Sequence, residues 1–276
     1  ITFYLYSKLS IVFFKLILHK LNLLLNNKLK NTYLQKIKVK KMKKIIIAST
    51  STLFDGDYLA YLLPTLQNHF NKVNTITFVP YAQPSGISLD DYTAKVAKAF
   101  LKIDKKVVGV HTFENPAEAI LNAEAIFTGG GNTFLLVSQL YKYGLIEAIE
   151  KAVKSGIPYL GCSAGSNICG LTMVTTNDMP IVYPPSFQTL ALVPFNINPH
   201  YLDPIEGSTH MGETRETRIN EFHKINTQPV LGLREGSWLE VIGDKITLRG
   251  DLSARLFQHN KLPIEIETAS DLSDLK

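Results

Sequence analysis

Three short stretches of this 276-residue chain hold side chains able to do chemistry together. The first is Gly161-Cys162-Ser163-Ala164-Gly165, a G-x-S-x-G run that follows an apolar strand at 157–160 and precedes a helix start at Ser166-Asn167-Ile168. A serine on so sharp a turn needs small neighbours two positions away on either side. Its hydroxyl then stands clear of the sheet at a helix N-terminus, where developing negative charge is favoured. The alternative is a glycine-rich β–α turn whose serine merely caps the helix. The second stretch, Gly129-Gly130-Gly131-Asn132-Thr133, also follows a strand and opens a helix. It has neither the Lys-Ser/Thr of a P-loop nor dinucleotide-fingerprint spacing, so aiming backbone N–H groups at an oxyanion is preferred to nucleotide binding. The third, Asn196-Ile197-Asn198-Pro199-His200, delivers a histidine at the end of a strand, held by a proline.

A nucleophilic serine needs a base, and a histidine base needs a carboxylate to fix its tautomer. Of the seven histidines, His111 and His210 are the remaining options, but only His200 is preceded by a strand and locked by a proline. Glu235 and Asp178 both lie in loops beside Gly or Pro, and their residue types and positions leave the choice between them open.

These loops require elements to position them. Apolar runs at 44–49, 74–79, 106–111, 125–128 and 158–161 alternate with helical periods at 58–68, 91–101, 116–123 and 133–155, the last broken at Gly144. Strands apolar throughout and separated by helices imply a parallel sheet covered on both faces. Beyond Gly170 the strands at 190–198, 229–233, 238–242 and 245–248 come with fewer helices, and Gly243-Asp244 makes a tight turn. The expected class is α/β, a doubly wound mostly parallel sheet with antiparallel strands in its C-terminal part. Ligands of such sheets sit beyond the carboxyl ends of the strands, where all three stretches fall. The stretch from Glu265 to Lys276 reads as a solvated acidic tail.

Eleven lysines and no Asp, Glu or Arg occupy residues 1–44, which leaves 45–276 at −6 against an overall +5. An acidic body without basic–aromatic alternation speaks against nucleic-acid binding. Residues 1–41 read as a basic extension outside the fold or a mis-set start, since the chain does not begin with Met and Met42 directly precedes a strand; 42–276 reads as a single hydrolytic domain. Lys15, His19 and Lys20 interrupt the apolar run at 9–25, so an uninterrupted membrane span is not expected, and membrane contact would come only through a basic surface helix there. Two cysteines, Cys162 and Cys169, make no disulfide framework, no Cys/His set has zinc-ligand spacing, and a reducing, cytoplasmic compartment fits.

In unbroken order from position 42 to about 248, the runs GGGNTF, GCSAGSN, TTNDMPIV, LVPFNINPH, GETRETRI and GLREGSW resemble peptidase E, the aspartyl dipeptidases. The resemblance implies a flavodoxin-like fold related to class I glutamine amidotransferases and a Ser–His–Glu triad. Ser163 would be its nucleophile, His200 its base and Glu235 the carboxylate partner, with the N–H groups of Gly131 and Ala164 as oxyanion hole. Asp178 matches a family position linked to activity. The elbow carries Cys162 where the family usually has tryptophan, a change expected to alter the pocket wall. The order Ser, His, Glu differs from the Ser, acid, His of α/β-hydrolases. An amidotransferase would carry Cys at the elbow centre and an acid where Leu202 stands.

The implied activity is that of a cofactor-free serine exopeptidase releasing aspartate from small Asp-X peptides. Recognition of the aspartate side chain calls for a cation, ideally arginine, with Arg215 as candidate and Arg234 in reserve. Competing readings are a cyanophycinase-like hydrolase of β-aspartyl peptides, a non-catalytic anion-binding relative, and a membrane-associated protein anchored by 1–41.

Overall fold

Strand β1 (Lys44–Ala48) reads KIIIA. In the computed structural model, Ile45 and Ile47 join one hydrophobic cluster and Ile46 and Ala48 another, as strand alternation requires of a sheet packed on both faces. The structure describes residues 42–276 apart from Ser85, Glu206, Ser208 and His210, together with Lys20 and Leu23. The expectation of an extension at 1–41 otherwise lies outside the described residues.

After β1 come α1 (Leu63–His69), β2 (Thr75–Val79), α2 (Leu89–Phe100), β3 (Lys106–Gly109), α3 (Pro116–Leu121), β4 (Ile126–Thr128), α4 (Thr133–Lys142), α5 (Leu145–Lys154), β5 (Tyr159–Cys162) and α6 (Ala164–Asn167). Then follow β6 (Asn196–Asn198), α7 (Arg215–Phe222), β7 (Val230–Leu233), β8 (Trp238–Ile242), β9 (Lys245–Arg249), β10 (Ala254–Phe257) and β11 (Ile264–Ile266). The larger sheet has the order β3-β2-β4-β5-β1-β8-β9. Its first five strands are parallel, and β8 and β9 run antiparallel. Helices α1 and α2 pack on one face, and α3, α4 and α5 on the other. This is the doubly wound sheet expected from the sequence, with its antiparallel strands toward the C-terminus.

A second sheet, β11-β10-β7-β6, was not foreseen as a separate layer. Its residues Ile197, Leu231, Leu233, Ala254 and Leu256 share the cluster of Ile45, Ile47, Leu239 and Val241, so the two sheets pack together. Val230, Phe257, Tyr201 and Ile219 form a small cluster that seats α7 on it.

Four expectations need correction. The run 190–198 pairs only at Asn196–Asn198. Before it, Leu190 and Leu192 donate their amides to Ile168 and Cys169 and wrap the end of α6, so apolar burial there imitated a strand. The helix expected from 58 begins at Leu63, where Pro64, lacking an N–H, suits a first turn. Strand β3 ends at Gly109 and passes into a 3₁₀ turn, Val110–Thr112. The tail is not freely solvated: Leu272 is buried and its amide bonds to Ile246, while Ala269 bonds to Leu248, covering the β9 edge.

His69, at the end of α1, is buried with Nε2 3.1 Å from the Tyr159 carbonyl. Burial, reinforced by the Lys44 ammonium, pushes its pKa down to about 3. A depressed histidine contributes stability above its unfolded pKa of about 6.5 and loses it as pH falls toward the folded value. Between pH 7 and pH 4 the protein should therefore lose on the order of 3 kcal/mol from this residue. His69→Gln, which keeps a donor but does not titrate, should flatten the pH dependence of the urea midpoint; an equally steep curve in the variant would remove His69 as the cause.

Candidate active site

Strand β5 ends in a turn that places Ser163 at φ 56, ψ −113, a region most residues avoid. The glycines around it are sterically required. A Cβ on Gly161 would meet the Gly165 carbonyl at 2.3 Å, and one on Gly165 would meet the Thr128 carbonyl at 2.2 Å. A Cβ on Gly130, in the neighbouring loop, would lie 2.9 Å from Ser163 Cβ. The turn is held from below by Ser166, whose hydroxyl bonds the carbonyls of Ala48 and Gly161.

His200 follows β6 and Pro199 and adopts a positive φ of 52. Its Nε2 lies 2.9 Å from Ser163 Oγ and its Nδ1 2.6 Å from Glu235 Oε1. A carboxylate only accepts, so Nδ1 carries the proton and the Nε2 lone pair faces the serine hydroxyl. Glu235 is thus the carboxylate that reaches the imidazole. Asp178 lies elsewhere: its Oδ2 accepts from Thr133 N at 2.7 Å, Thr133 Oγ1 at 2.6 Å and Thr176 Oγ1 at 3.0 Å, capping the start of α4. His111 bonds Asp90, and His210 lies outside the described residues.

Among the described residues, the glycine loop presents one amide without an acceptor. Gly129 N donates to Val79, Gly130 N to the Tyr92 hydroxyl, Asn132 N to Ala82 and Thr133 N to Asp178. Gly131 N, at φ 137, has no acceptor among the described residues, and neither has Ala164 N at the start of α6. Two free amides flanking a serine hydroxyl suit a developing oxyanion.

Thr133, Ser163, Asp178, Pro199, His200 and Arg215 line a cleft of about 320 Å³. Arg215, half-buried at the start of α7, has no ion-pair partner among the described residues; burial and neighbouring Arg218 lower its pKa, and Asp178 opposes them. Arg234, held in reserve from the sequence, is not available. Its guanidinium is forked onto Asp203 at 2.7 and 2.8 Å and bonded to Glu265 at 2.8 Å. Nor does Cys162 alter the pocket wall: it is fully buried in the cluster under α1 and α2.

Sequence reasoning missed Ser49. Its buried hydroxyl accepts from His200 N at 2.9 Å and donates to the Leu233 carbonyl at 2.8 Å. Its place just after the carboxyl end of β1 was the available signal.

A profile of Peptidase family S51 matches residues 45–249. The chain belongs to peptidase family S51. Peptidase E of Streptomyces coelicolor is 50% identical over 231 residues, covering 84% of this chain and 94% of that protein. A Drosophila melanogaster protein named "Probable alpha-aspartyl dipeptidase" is 45% identical over 236 residues, covering 84% of this chain and 97% of that one. The crystal structure of a peptidase from an acI-B1 actinobacterium shares the fold at a TM-score of 0.63 and 14% identity, covering 84% of this chain and 97% of that one.

In this family S51 chain the Arg234 clamp ties the segment after His200 to the residue before Glu235. Arg234→Gln should cost about 2 kcal/mol of unfolding free energy by urea denaturation, since Arg234 is largely buried while its partners are half-exposed. A loss below about 0.5 kcal/mol would mark it as an ordinary surface ion pair.

Proposed function

We propose that the protein is a serine exopeptidase that releases aspartate from dipeptides with N-terminal aspartate. The observation that carries this reading is the Ser163–His200–Glu235 relay, at 2.9 and 2.6 Å, whose Ser163 and His200 line the same cleft as Arg215, which has no ion-pair partner among the described residues. Ser163 Oγ attacks the scissile carbonyl as His200 Nε2 takes its proton, and Glu235 stabilises the imidazolium. The carbonyl oxygen becomes an oxyanion that accepts from Gly131 N and Ala164 N. Collapse breaks the C–N bond, with His200 protonating the leaving amine. A water deprotonated by His200 then hydrolyses the aspartyl ester and restores the serine.

Arg215 would pair with the aspartate side chain. Asp178 suits the free α-ammonium: Oδ2 is saturated by Thr133 and Thr176, whereas Oδ1 has no partner among the described residues and the group lines the cleft. One anion and one cation beside the nucleophile select a peptide that begins with an acidic residue. The name of the Drosophila relative, a probable alpha-aspartyl dipeptidase, supports the same substrate class.

We assign the activity to one domain, residues 42–276, with 1–41 as a basic extension, and to the cytoplasm, a reading supported by two buried free cysteines. No helix among the described residues is long and apolar enough to cross a membrane.

Ser163→Ala should lower kcat for Asp-Leu by roughly 10⁴-fold or more while the protein stays folded; full activity in that variant would end the proposal. Faster release from β-Asp-Arg than from Asp-Leu would replace it with a cyanophycinase-like reading, and failure of a fluorophosphonate to label Ser163 would leave an anion-binding protein. Arg215→Met should reduce kcat/KM for Asp-Leu by roughly 10²- to 10³-fold, with fluorophosphonate labelling near wild type. An unchanged preference for Asp-Leu over Ala-Leu would exclude Arg215 from substrate recognition.

A further inference from the structure

The acyl-transfer reading needs the Gly131 N–H aimed at the cleft, and three successive glycines supply no aim of their own. The restraint lies on the other side of the same peptide unit. Gln83 Nε2 donates to the Gly130 carbonyl at 2.9 Å, and the Tyr92 hydroxyl lies 3.3 Å from that oxygen. The same hydroxyl accepts from Gly130 N at 3.1 Å. A trans peptide is planar, with its C=O and N–H pointing in opposite directions. Holding the Gly130 carbonyl therefore sets the direction of the Gly131 amide.

We propose that Gln83 and Tyr92 are positioning residues that aim the Gly131 N–H into the oxyanion hole; this rests on the acyl-transfer reading of Ser163. A flip of the 130–131 peptide would turn a carbonyl oxygen toward the oxyanion and repel it. The clamp opposes that flip. Tyr92 is buried on α2 and reaches the loop only because residue 129 is glycine, whose Cβ would lie 2.5 Å from the Tyr92 hydroxyl. On the opposite side the Ala82 carbonyl accepts from Asn132 N at 2.7 Å and lies 2.2 Å from where a Gly131 Cβ would be. Residues 82 and 83, in the turn after β2, thus brace the loop by backbone and side chain together.

The test uses Gln83→Glu, which keeps the shape but accepts where glutamine donates, Tyr92→Phe, and the double variant. Asp-Leu hydrolysis is compared with binding of an aspartyl boronic acid, whose tetrahedral adduct places an oxygen in the hole. The double variant should lose roughly ten- to a hundredfold in kcat and a parallel factor in boronate affinity. KM should stay within about twofold; the Gly130 amide loses its buried acceptor, so the melting temperature should fall by a few degrees while the protein stays folded at the assay temperature. Unchanged kcat and boronate affinity in the double variant would overturn the proposal, as would a rise in KM with kcat preserved, which marks substrate binding. Persistent hydrolysis by Ser163→Ala would instead overturn the reading beneath it.

Discussion

No side chain fits between the turn that carries Ser163 and the glycine loop beside it, and the rest of the site depends on that close approach. The backbones of β4, β5 and α6 touch through Gly161, Gly165 and Gly130, each lacking room for a Cβ. This arrangement brings together two segments that each carry an amide without an acceptor among the described residues, Gly131 N and Ala164 N. The strained φ of Ser163 costs about 1–3 kcal/mol. It is offset by backbone bonds: Ser163 N donates to Ala48 of the adjacent β1, and the Ser163 carbonyl accepts from both Ser166 N and Asn167 N. The compensation comes from the turn itself and from β1, so the geometry does not depend on substrate to form.

The histidine that meets Ser163, and its carboxylate partner, come from the other sheet. His200 and Glu235 follow β6 and β7, which pair in parallel with Asn198 opposite Gly232, so their loops emerge side by side. A buried hydroxyl is one of the links between this pair and the serine's sheet, beside the bond from Asn167 Nδ2 on α6 to the Ile197 carbonyl on β6. Ser49 follows β1 in the larger sheet, yet bonds His200 N and the Leu233 carbonyl in the smaller one. His200 also sits at positive φ, so its backbone is held in an unfavourable region by the same contact that sets its ring against Ser163.

Features encoded locally were legible in the sequence. The elbow, the glycine loop and NINPH announce themselves within five residues each, and strands apolar on both faces imply a covered parallel sheet. What was not legible depends on contacts distant along the chain. Ser49 lies 151 positions from His200, and Gln83 lies 47 from the carbonyl it holds; neither has a local signature. The second sheet escaped because β10 and β11 are short and β11 is largely exposed, so burial left little alternation to read. Asp178 and Glu235 both sit in polar loops; their residue types did not separate them, the resemblance pointed to Glu235, and the fold shows that one caps a helix while the other meets an imidazole.

The same dependence decides between the two arginines. Asp203, Arg234, Glu265, Arg255 and Glu216 form a continuous chain of ion pairs. Hydrogen bonds from Arg234 hold the Glu265 carboxyl down at about 2 and the Asp203 carboxyl below its usual range, so both acids stay paired with that arginine at neutral pH. Glu216, next to Arg215 in sequence, is drawn to Arg255 and does not neutralise its neighbour. Arg215 therefore remains a cation at the first position of α7, facing the positive end of the helix dipole with Arg218 close by. That is an unfavourable place for a guanidinium in the absence of an anion. On the proposed reading, a carboxylate entering the cleft would relieve both the dipole and the neighbouring charge, and the ion-pair chain would contribute by keeping Glu216 engaged with Arg255.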